Sequence, residues 1–583
     1  MKSLLYLNKY FYKYRLRFIL GIIITIIAQI FALYTPKLIS ESLKEIENFT
    51  QNNNLNAKII YDLLFENILL IIATTIISGF FTFLMRQTLI VMSRYVEFDI
   101  KNEIYAHYQT LSQNFFKQNR TGDLMNRITE DVGKVRMYVG PAIMYTINTF
   151  IRFVIVIVYM TNVSPKLTFY SLIPMPLLSY LIFKISTNIN TKSMLYQENL
   201  SKLSSFSQET FSGIRIIKNY ALNAVFKKKF SLIALESKQK NIDLAKTNAY
   251  FGPLMILLIG VSNLLVIYIG GLMYINNEIK IGVIVEFIIY INMLTWPVAS
   301  LGWVSSLVQE AAASQKRINE FLDEKSEIIN HSNKIIDIKG NIIFQNVSFT
   351  YPETGIKALD NINFEIKTGK TLAILGNTGF GKSTILQLLL RMYQLEKGKI
   401  LIDDFSLDTY NIQDLRNQMA IVPQDGFLFS DTIEENIKFG KVNATQKEIE
   451  NVCITTHIHH NIIGFKNGYQ TILGERGITL SGGQKQRISM ARALIKNSKI
   501  ILLDDCLSAV DTETEEIILN NLAEKINQKT TIIVSHRVSS VKNADQIIVL
   551  DEGKIIEKGT HNELISQDGA YCQLYKKQLF EKK

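Results

Sequence analysis

Apolar residues are unevenly distributed along this chain: long uninterrupted runs dominate before residue 310, and only short ones follow. Six runs, at 18–38, 63–85, 137–161, 167–185, 251–275 and 281–308, are each near the length that crosses a bilayer. A buried helix of a large soluble protein can imitate one such run but hardly six in series, so six membrane-spanning helices are predicted. The first run follows Lys9, Lys13, Arg15 and Arg17, as a signal peptide would. It is long, lacks a small-x-small cleavage site and precedes five more spans, so it reads as a retained first helix.

Two long connections, 86–136 and 192–246, carry apolar residues at helical spacing, notably over 97–111 and 200–217, with Gly122 and Gly213 as punctuation. Each predicts a pair of membrane helices that run past the bilayer and are joined by a short transverse helix, expected at 119–123 and 209–214. The segment 314–334 holds Glu320, Asp323, Glu324, Lys325 and Glu327 and neither glycine nor proline. A helix leaving the membrane is the expectation there, rather than a flexible tether.

Lysine and arginine placement orients the spans. The N-terminus and both long connections are basic, whereas the turns at 162–165 and 276–280 are very short, which puts both termini and both connections in the cytoplasm. The net charge of +11, from 63 basic and 52 acidic residues, then fits contact with an anionic leaflet and calls for no nucleic-acid partner. Cys453, Cys506 and Cys572 all lie in the second half without ligand-spaced partners, so neither a zinc site nor a disulfide framework is indicated. Cys506 is expected to be a small buried residue. His457, His459 and His460 cluster without acidic or cysteine company and are assigned no metal.

The candidate chemistry begins at Gly376-Asn377-Thr378-Gly379-Phe380-Gly381-Lys382-Ser383, followed by Thr384. This fits G-x-x-x-x-G-K-[ST] between the apolar run 372–375 and a helical pattern at Ile385, Leu386, Leu388, Leu389 and Leu390, the strand, loop and helix context of a P-loop. Backbone N–H groups of the curled loop and the helix start suit phosphate, Lys382 suits the β and γ phosphates of ATP, and Ser383 suits Mg²⁺. Four apolar residues ending in Asp504 read as a buried parallel strand delivering a carboxylate, direct or indirect partner of the same Mg²⁺, to its carboxyl edge.

Leu480-Ser481-Gly482-Gly483-Gln484, flanked by Gly474-Glu475-Arg476-Gly477 and Lys485-Gln486-Arg487, resembles the signature motif of ABC ATPases. Ser481 and two glycine N–H groups at a helix start form a second anion site. The resemblance implies two nucleotide domains meeting head to tail, Ser481 to Gln484 completing the ATP site of the opposite one. It also assigns Tyr351 to stacking on adenine, Gln424 to sensing Mg²⁺ and linking to the membrane domain, His536 to the γ phosphate, and Ser508-Ala509-Val510-Asp511 to the opposite site. With six spans ahead of one nucleotide domain, nearly the whole chain resembles a half-transporter of the ABC exporter type. Arg120-Thr121-Gly122-Asp123-Leu124-Met125 and Leu294-Thr295-Trp296-Pro297 are similar to bacterial multidrug-resistance-like members. The fold class implied is a membrane all-α six-helix domain over 1–312, a linker over 313–339 and an α/β P-loop nucleotide-binding domain over 340–583. The implied setting is the bacterial inner membrane, with the transverse helices inserting into the nucleotide domains.

Asp505 departs from the family pattern, which has glutamate directly after the strand aspartate to orient or deprotonate the attacking water. Aspartate is shorter by one methylene, about 1.5 Å, and misplacement on that scale costs roughly 10²-fold in rate. Tight ATP binding and slow hydrolysis are expected, as in one subunit of a heterodimeric exporter. A homodimer in which the backbone shifts and Asp505 serves adequately is the other reading. Cargo is the least specified property: hydrophobic or amphipathic compounds fit the aromatic and methionine content of the last two spans (Tyr290, Trp296, Trp303, Met255, Met273, Met293), which equally suits helix packing. A lipid flippase of the same build and an ATP-gated, channel-like regulatory subunit are the alternatives. Arg152 and Glu286 fall at similar depth inside spans three and six, so they are expected to pair, or Glu286 to attract cationic cargo; a structural or snorkelling role is the plainer reading.

Overall fold

The computed structural model describes residues 2–51, 57–330, 336–474, 477 and 479–581. They form two compact units, one of Met1–Gln109 and Gly122–Glu324, the other of Thr110–Thr121 and Lys325–Lys583.

The first unit is built from six helices long and apolar enough to cross a membrane: Arg15–Gln51, Lys58–Thr110, Thr121–Val163, Pro165–Ser212, Asn223–Ile275 and Ile281–Leu322. Most overshoot their apolar runs because the sequence beyond stays helix-compatible and is laced with i,i+4 ion pairs. Lys101–Glu97 at 2.8 Å, Lys202–Glu198 at 2.9 Å and Lys240–Glu236 at 2.7 Å are examples. Phe287, Tyr290, Ile291 and Leu294 of the last helix are fully buried among Leu33, Val156, Met160, Leu167 and Val266. The last helix is therefore the axis of this unit. Half of its apolar stretch is buried within the chain, against 6% of the apolar stretch of the second helix, which buries Leu89, Met92, Val96, Ile100 and Ile104 only farther along.

Close helix approach is made at small residues, as in membrane bundles generally. A Cβ on Gly282 would lie 2.2 Å from the Ser40 carbonyl oxygen, and one on Gly140 would meet the Ser93 side chain at 2.6 Å. The third helix widens into π turns at Arg127–Asp131 and Tyr138–Ala142, the second of which contains Pro141. Pro141 supplies no N–H, so regular α pairing cannot pass through it.

Three expectations are corrected here. The transverse helices are Gln113–Gln118 and Ile214–Asn219, not 119–123 and 209–214. Ser112 and Asn119 adopt extended backbone and set the first break, leaving Gly122 inside the next long helix, while Gly213 closes the preceding helix and residues 209–212 stay within it. Arg152 and Glu286 do not pair: Arg152 donates to Gln29 Oε1 at 2.8 Å, and Glu286, fully buried, accepts from Tyr290 Oη at 2.8 Å. A one-turn difference in depth says nothing about which way two side chains point round their helices. The exit helix stops at Leu322, and 323–330 are not helical; the rest of that expected helix, 331–334, lies outside the described residues.

Among the described residues the second unit holds ten strands: β1 Ile342–Thr350, β2 Lys357–Ile366, β3 Thr371–Leu375, β4 Lys397–Ile402, β5 Phe405–Ser406, β6 Met419–Val422, β7 Ile500–Asp504, β8 Thr530–Val534, β9 Gln546–Asp551 and β10 Lys554–Gly559. An antiparallel sheet runs β2-β1-β4-β5, and a second sheet runs β10-β9-β3-β8-β7-β6, parallel from β9 to β6. Alternate residues of the parallel strands feed two separate cores. Leu372, Ile374, Leu502, Ile532 and Ile548 join one with the antiparallel sheet, and Ala373, Leu375, Ile501, Leu503 and Ile547 join the other with helices Thr512–Ile526 and Ala570–Glu581. Burial on both faces explains why these strands read as continuous apolar runs rather than alternating ones. A helical layer from Ile433–Lys438 to His459–Ile463 packs its own core on helix Gly482–Leu494.

Gly282→Ala is expected to push the last helix off Ser40 and to destabilise the membrane unit by about 1–3 kcal/mol, an overpacking cost. The check is the thermal midpoint in detergent, which should fall for this variant and stay near that of the parent for Gly271→Ala, where a Cβ meets nothing within 4 Å.

Candidate functional site

A cleft of about 400 Å³ opens at the carboxyl ends of β3, β7 and β8. Thr378, Gly379, Gly381, Lys382, Ser383 and Thr384 line one side, and Tyr351, Gln424, Asp504, Asp505 and His536 complete it. The P-loop glycines are required by shape. Gly376, Gly379 and Gly381 all have positive φ, and a Cβ at Gly381 would sit 2.1 Å from the Ala358 carbonyl oxygen. Phe380, Gly376 and Asn377 do not line the cleft. Instead the carbonyls of Gly376 and Asn377 accept from Lys382 Nζ at 2.7 and 2.8 Å, which holds the ammonium against the loop.

Ser383 Oγ donates to Asp504 Oδ1 at 2.7 Å. The pair presents two hard oxygens in the cleft that Gln424 also lines, with the start of helix Lys382–Leu389 next to them. Few protein oxygens beside a phosphate cradle is the donor set Mg²⁺ takes, since that ion keeps waters and phosphate oxygens as its remaining ligands. Tyr351 is fixed by its hydroxyl, which shares a 2.8 Å hydrogen bond with Thr384 Oγ1, and by edge contacts with Phe349 and Tyr393 at 5.1 and 5.4 Å. A planar base can stack on a ring so held.

Asp505 has φ 45°, in the left-handed region, and its N–H donates to the Val534 carbonyl at 2.9 Å. Its Oδ1 lies 3.0 Å from His536 Nδ1. Burial raises its carboxyl above the ordinary range and the His536 ring opposes that. Burial likewise lowers the Lys382 ammonium, with Asp505 and Asp504 pulling it back. Cys506, beside Asp505, is fully enclosed and its thiol is pushed up to about 12 by burial, as a packing residue's would be.

Ser481 caps helix Gly482–Leu494 in a capping box with Gln484, and a Cβ on Gly483 would lie 2.9 Å from the Ala509 carbonyl oxygen. This places Gly482 and Gly483 against the 508–511 loop, and neither they nor Ser481 and Gln484 line the cleft. The flanking Glu475 and Arg476 lie outside the described residues.

Comparison with known proteins agrees with this architecture. Residues 18–298 match the ABC transporter transmembrane region and residues 359–508 match the ABC transporter family. The chain belongs to the ABC transporter family. The multidrug resistance-like ATP-binding protein MdlA of Buchnera aphidicola (subsp. Baizongia pistaciae) is 38% identical over 97% of each chain. The MdlA protein of Escherichia coli is 36% identical over 88% of each. The probable multidrug resistance ABC transporter ATP-binding/permease protein YheI of Bacillus subtilis is 34% identical over 98% of this chain and 97% of its own. In fold, the chain superposes on a bacterial Atm1-family ABC exporter solved with ATP bound, with a TM-score of 0.81 at 24% identity, over 97% of this chain and 99% of that one. The ABC transporter described here is thus an ATP-hydrolysing membrane protein with its membrane and ATPase regions fused.

Several side chains at the site escape sequence reasoning. Lys117 lines the cleft from segment Thr110–Thr121, which belongs to the ATPase unit although it interrupts the membrane helices. Its Nζ lies 3.2 Å from Glu353 Oε1 and 5.0 and 5.2 Å from the ring centroids of Tyr351 and Tyr393. Asn114 Nδ2 of the same segment donates to Glu327 Oε1 at 2.7 Å. Gln486 Nε2 donates to the Gln424 carbonyl at 2.9 Å, tying the signature helix to the Gln424 loop. Arg537 donates to Ser508 O at 3.0 Å and Glu515 Oε2 at 2.8 Å, tying the His536 loop to the 508–511 loop. A lone lysine far upstream carries no motif; Gln486 and Arg537, by contrast, adjoin motifs and are findable by proximity to them.

Burial holds the Asp504 carboxyl above its ordinary value, against the pull of the Ser383 hydrogen bond. For a carboxyl whose folded pKa is raised, stability falls as pH climbs from the unfolded value through the folded one, so ionised Asp504 is a net cost at neutral pH. Asp504→Asn should therefore raise the thermal midpoint of the ATPase unit at pH 7, the gain shrinking toward pH 4. The same variant should weaken Mg-dependent ATP binding by about tenfold or more, read by calorimetric titration with and without the metal.

Proposed function

We propose that this chain is one subunit of a dimeric bacterial inner-membrane exporter that moves hydrophobic or amphipathic compounds outward, with both termini in the cytoplasm. Residues 1–312 form the translocation domain, 313–339 the linker and 340–583 the nucleotide-binding domain. The observation that carries the reading is the cleft itself: Tyr351, Lys382, Ser383, Gln424, Asp504 and His536 converge in a chain that also has six membrane-length helices. The multidrug names of the relatives point the same way.

Two features support a second ATPase-bearing subunit. Ser481 to Gln484 lies outside its own cleft, so it is available to the phosphates held by a partner. The tip of the second hairpin is apolar and uncovered: Phe211 is 73% exposed, Ile216 62% and Tyr220 73%. A tip of that kind needs a cover, and a partner's nucleotide domain supplies one.

In the proposed cycle the P-loop N–H groups and Lys382 hold the triphosphate and Tyr351 stacks on the base. Ser383, Gln424 and Asp504 would hold Mg²⁺, which when bound would supply charge shielding for phosphoryl transfer. Closure of two such domains on ATP is conveyed through the transverse helices to the membrane bundle. His536 lies at the γ-phosphate side and anchors Asp505. Asp505, one methylene short and already bonded to His536, is poorly placed to orient water, so this site turns over slowly. Hydrolysis then proceeds mainly at the site this chain's Ser481 to Gln484 completes on the partner, which favours a heterodimer over a homodimer. Glu286 is buried in its own bundle, which supports a packing role over a cation-attracting one.

The deciding measurement is the Mg-ATPase rate of the chain alone in lipid beside Asp505→Glu. The parent is expected to be slow and the variant faster by roughly 10²-fold, with Lys382→Ala inactive in either background. Brisk turnover by the parent with little gain from glutamate would overturn the slow-site reading and favour a working homodimer.

A further inference from the structure

The membrane unit contains a pocket of about 430 Å³ between its second, third and last helices. Trp303, Tyr145, Met137 and Met144 give it an apolar wall, and Arg86 and Gln87 give it a polar edge. Arg86 directly follows the apolar run 63–85, Met137 opens the run 137–161, and Trp303 lies near the close of 281–308. Because successive spans cross in opposite directions, these three ends fall on the same side, the side with the basic connections. The pocket therefore sits at one interface level, where an amphiphile has its polar group.

The wall is preorganised. Tyr145 and Trp303 meet edge to face, with centroids 5.3 Å apart and planes at 75°. Pro141 also lines the pocket, within the π turn Tyr138–Ala142, so the backbone departs from a regular helix at the pocket itself. Arg86 is the one charged residue in the lining, and among the described residues it has neither an ion-pair nor a hydrogen-bond partner. This contrasts with Arg152, which is satisfied by Gln29. A guanidinium at a membrane interface with no carboxylate to hold presents a planar fork suited to a carboxylate or phosphate.

We infer that this pocket binds amphipathic anions, the head group on Arg86 and Gln87 and the apolar body against Trp303, Tyr145 and the two methionines. The assignment deepens the exporter reading by giving the sign of charge the chain accepts, and its test needs no ATP turnover, so it stands or falls separately. The head group is a carboxylate or phosphate monoanion or dianion, carried either by a lipid of the adjacent leaflet or by a cargo molecule.

The chain has two tryptophans, Trp296 and Trp303, so Trp296→Phe leaves Trp303 as the single fluorescent reporter. In phosphatidylcholine nanodiscs, dodecyl phosphate should shift Trp303 emission saturably, and dodecyltrimethylammonium should do so at least about tenfold less tightly, as expected for a charge-assisted contact. Arg86→Gln should bring the two affinities together, and Arg86→Lys should keep the preference for the anion. The ratio is read within one preparation, so partial misfolding cannot create it. Equal response to anion and cation in the parent, or an unchanged ratio in Arg86→Gln, overturns the assignment. Phosphatidylglycerol in the nanodisc separates the two sources. If it shifts Trp303 and displaces dodecyl phosphate, the occupant is a leaflet lipid; if it does neither while dodecyl phosphate still shifts Trp303 saturably, the occupant is cargo.

Discussion

The parallel pairing of β3, β8 and β7 is the constraint on which the catalytic half rests. Its register sets Ile374 beside Val534 and Val534 beside Asp504. The P-loop, the His536 loop and the Asp504–Asp505 step therefore leave the sheet at one edge. Burial of alternate residues in two separate cores fixes that register, because a one-residue slip would turn each strand's larger side chains into the wrong layer. The nucleotide cleft is thus a by-product of packing on both faces of a sheet, at the carboxyl edge where parallel sheets bind their ligands.

The membrane half obeys a different rule. In hydrocarbon, apolar side chains gain nothing by clustering, so the bundle is organised by close contacts at small residues and by hydrogen bonds between polar ones. Gly282 against Ser40, Gly140 against Ser93, and the chain from Asn148 through Gln29 to Arg152 are of this kind. Within their apolar stretches the last helix is half buried and the second scarcely at all, although the second buries Leu89, Met92, Val96, Ile100 and Ile104 farther along.

Asp505 shows how one position joins both levels. Its left-handed backbone is one that aspartate tolerates better than most residues, and its N–H is held by Val534. With the backbone so fixed, the side chain cannot be repositioned by sliding the strand, since β7 is paired on both edges. The short side chain reaches His536 instead.

Much of this was legible in the residues alone. Length and hydropathy determined the six membrane helices, because a bilayer imposes a minimum apolar run whatever the tertiary arrangement. Fixed spacing determined the phosphate loop, because glycine, lysine and serine must occur at set offsets for the backbone to curl, and continuous apolar runs determined the two-sided sheet. What the tertiary structure decided were relations between distant segments. The break at Ser112 depends on local backbone choice that the Gly122 signal misplaced by several residues, and Gly213 does end a helix but precedes the transverse helix instead of lying within it. Arg152 and Glu286 share a depth but not a direction. Lys117 reaches Tyr351 because the segment Thr110–Thr121 folds with the ATPase unit, an outcome no local pattern encodes. Periodicity and spacing report on a helix, a strand or a loop; they carry no information on which faces of two such elements meet, and that is set by packing.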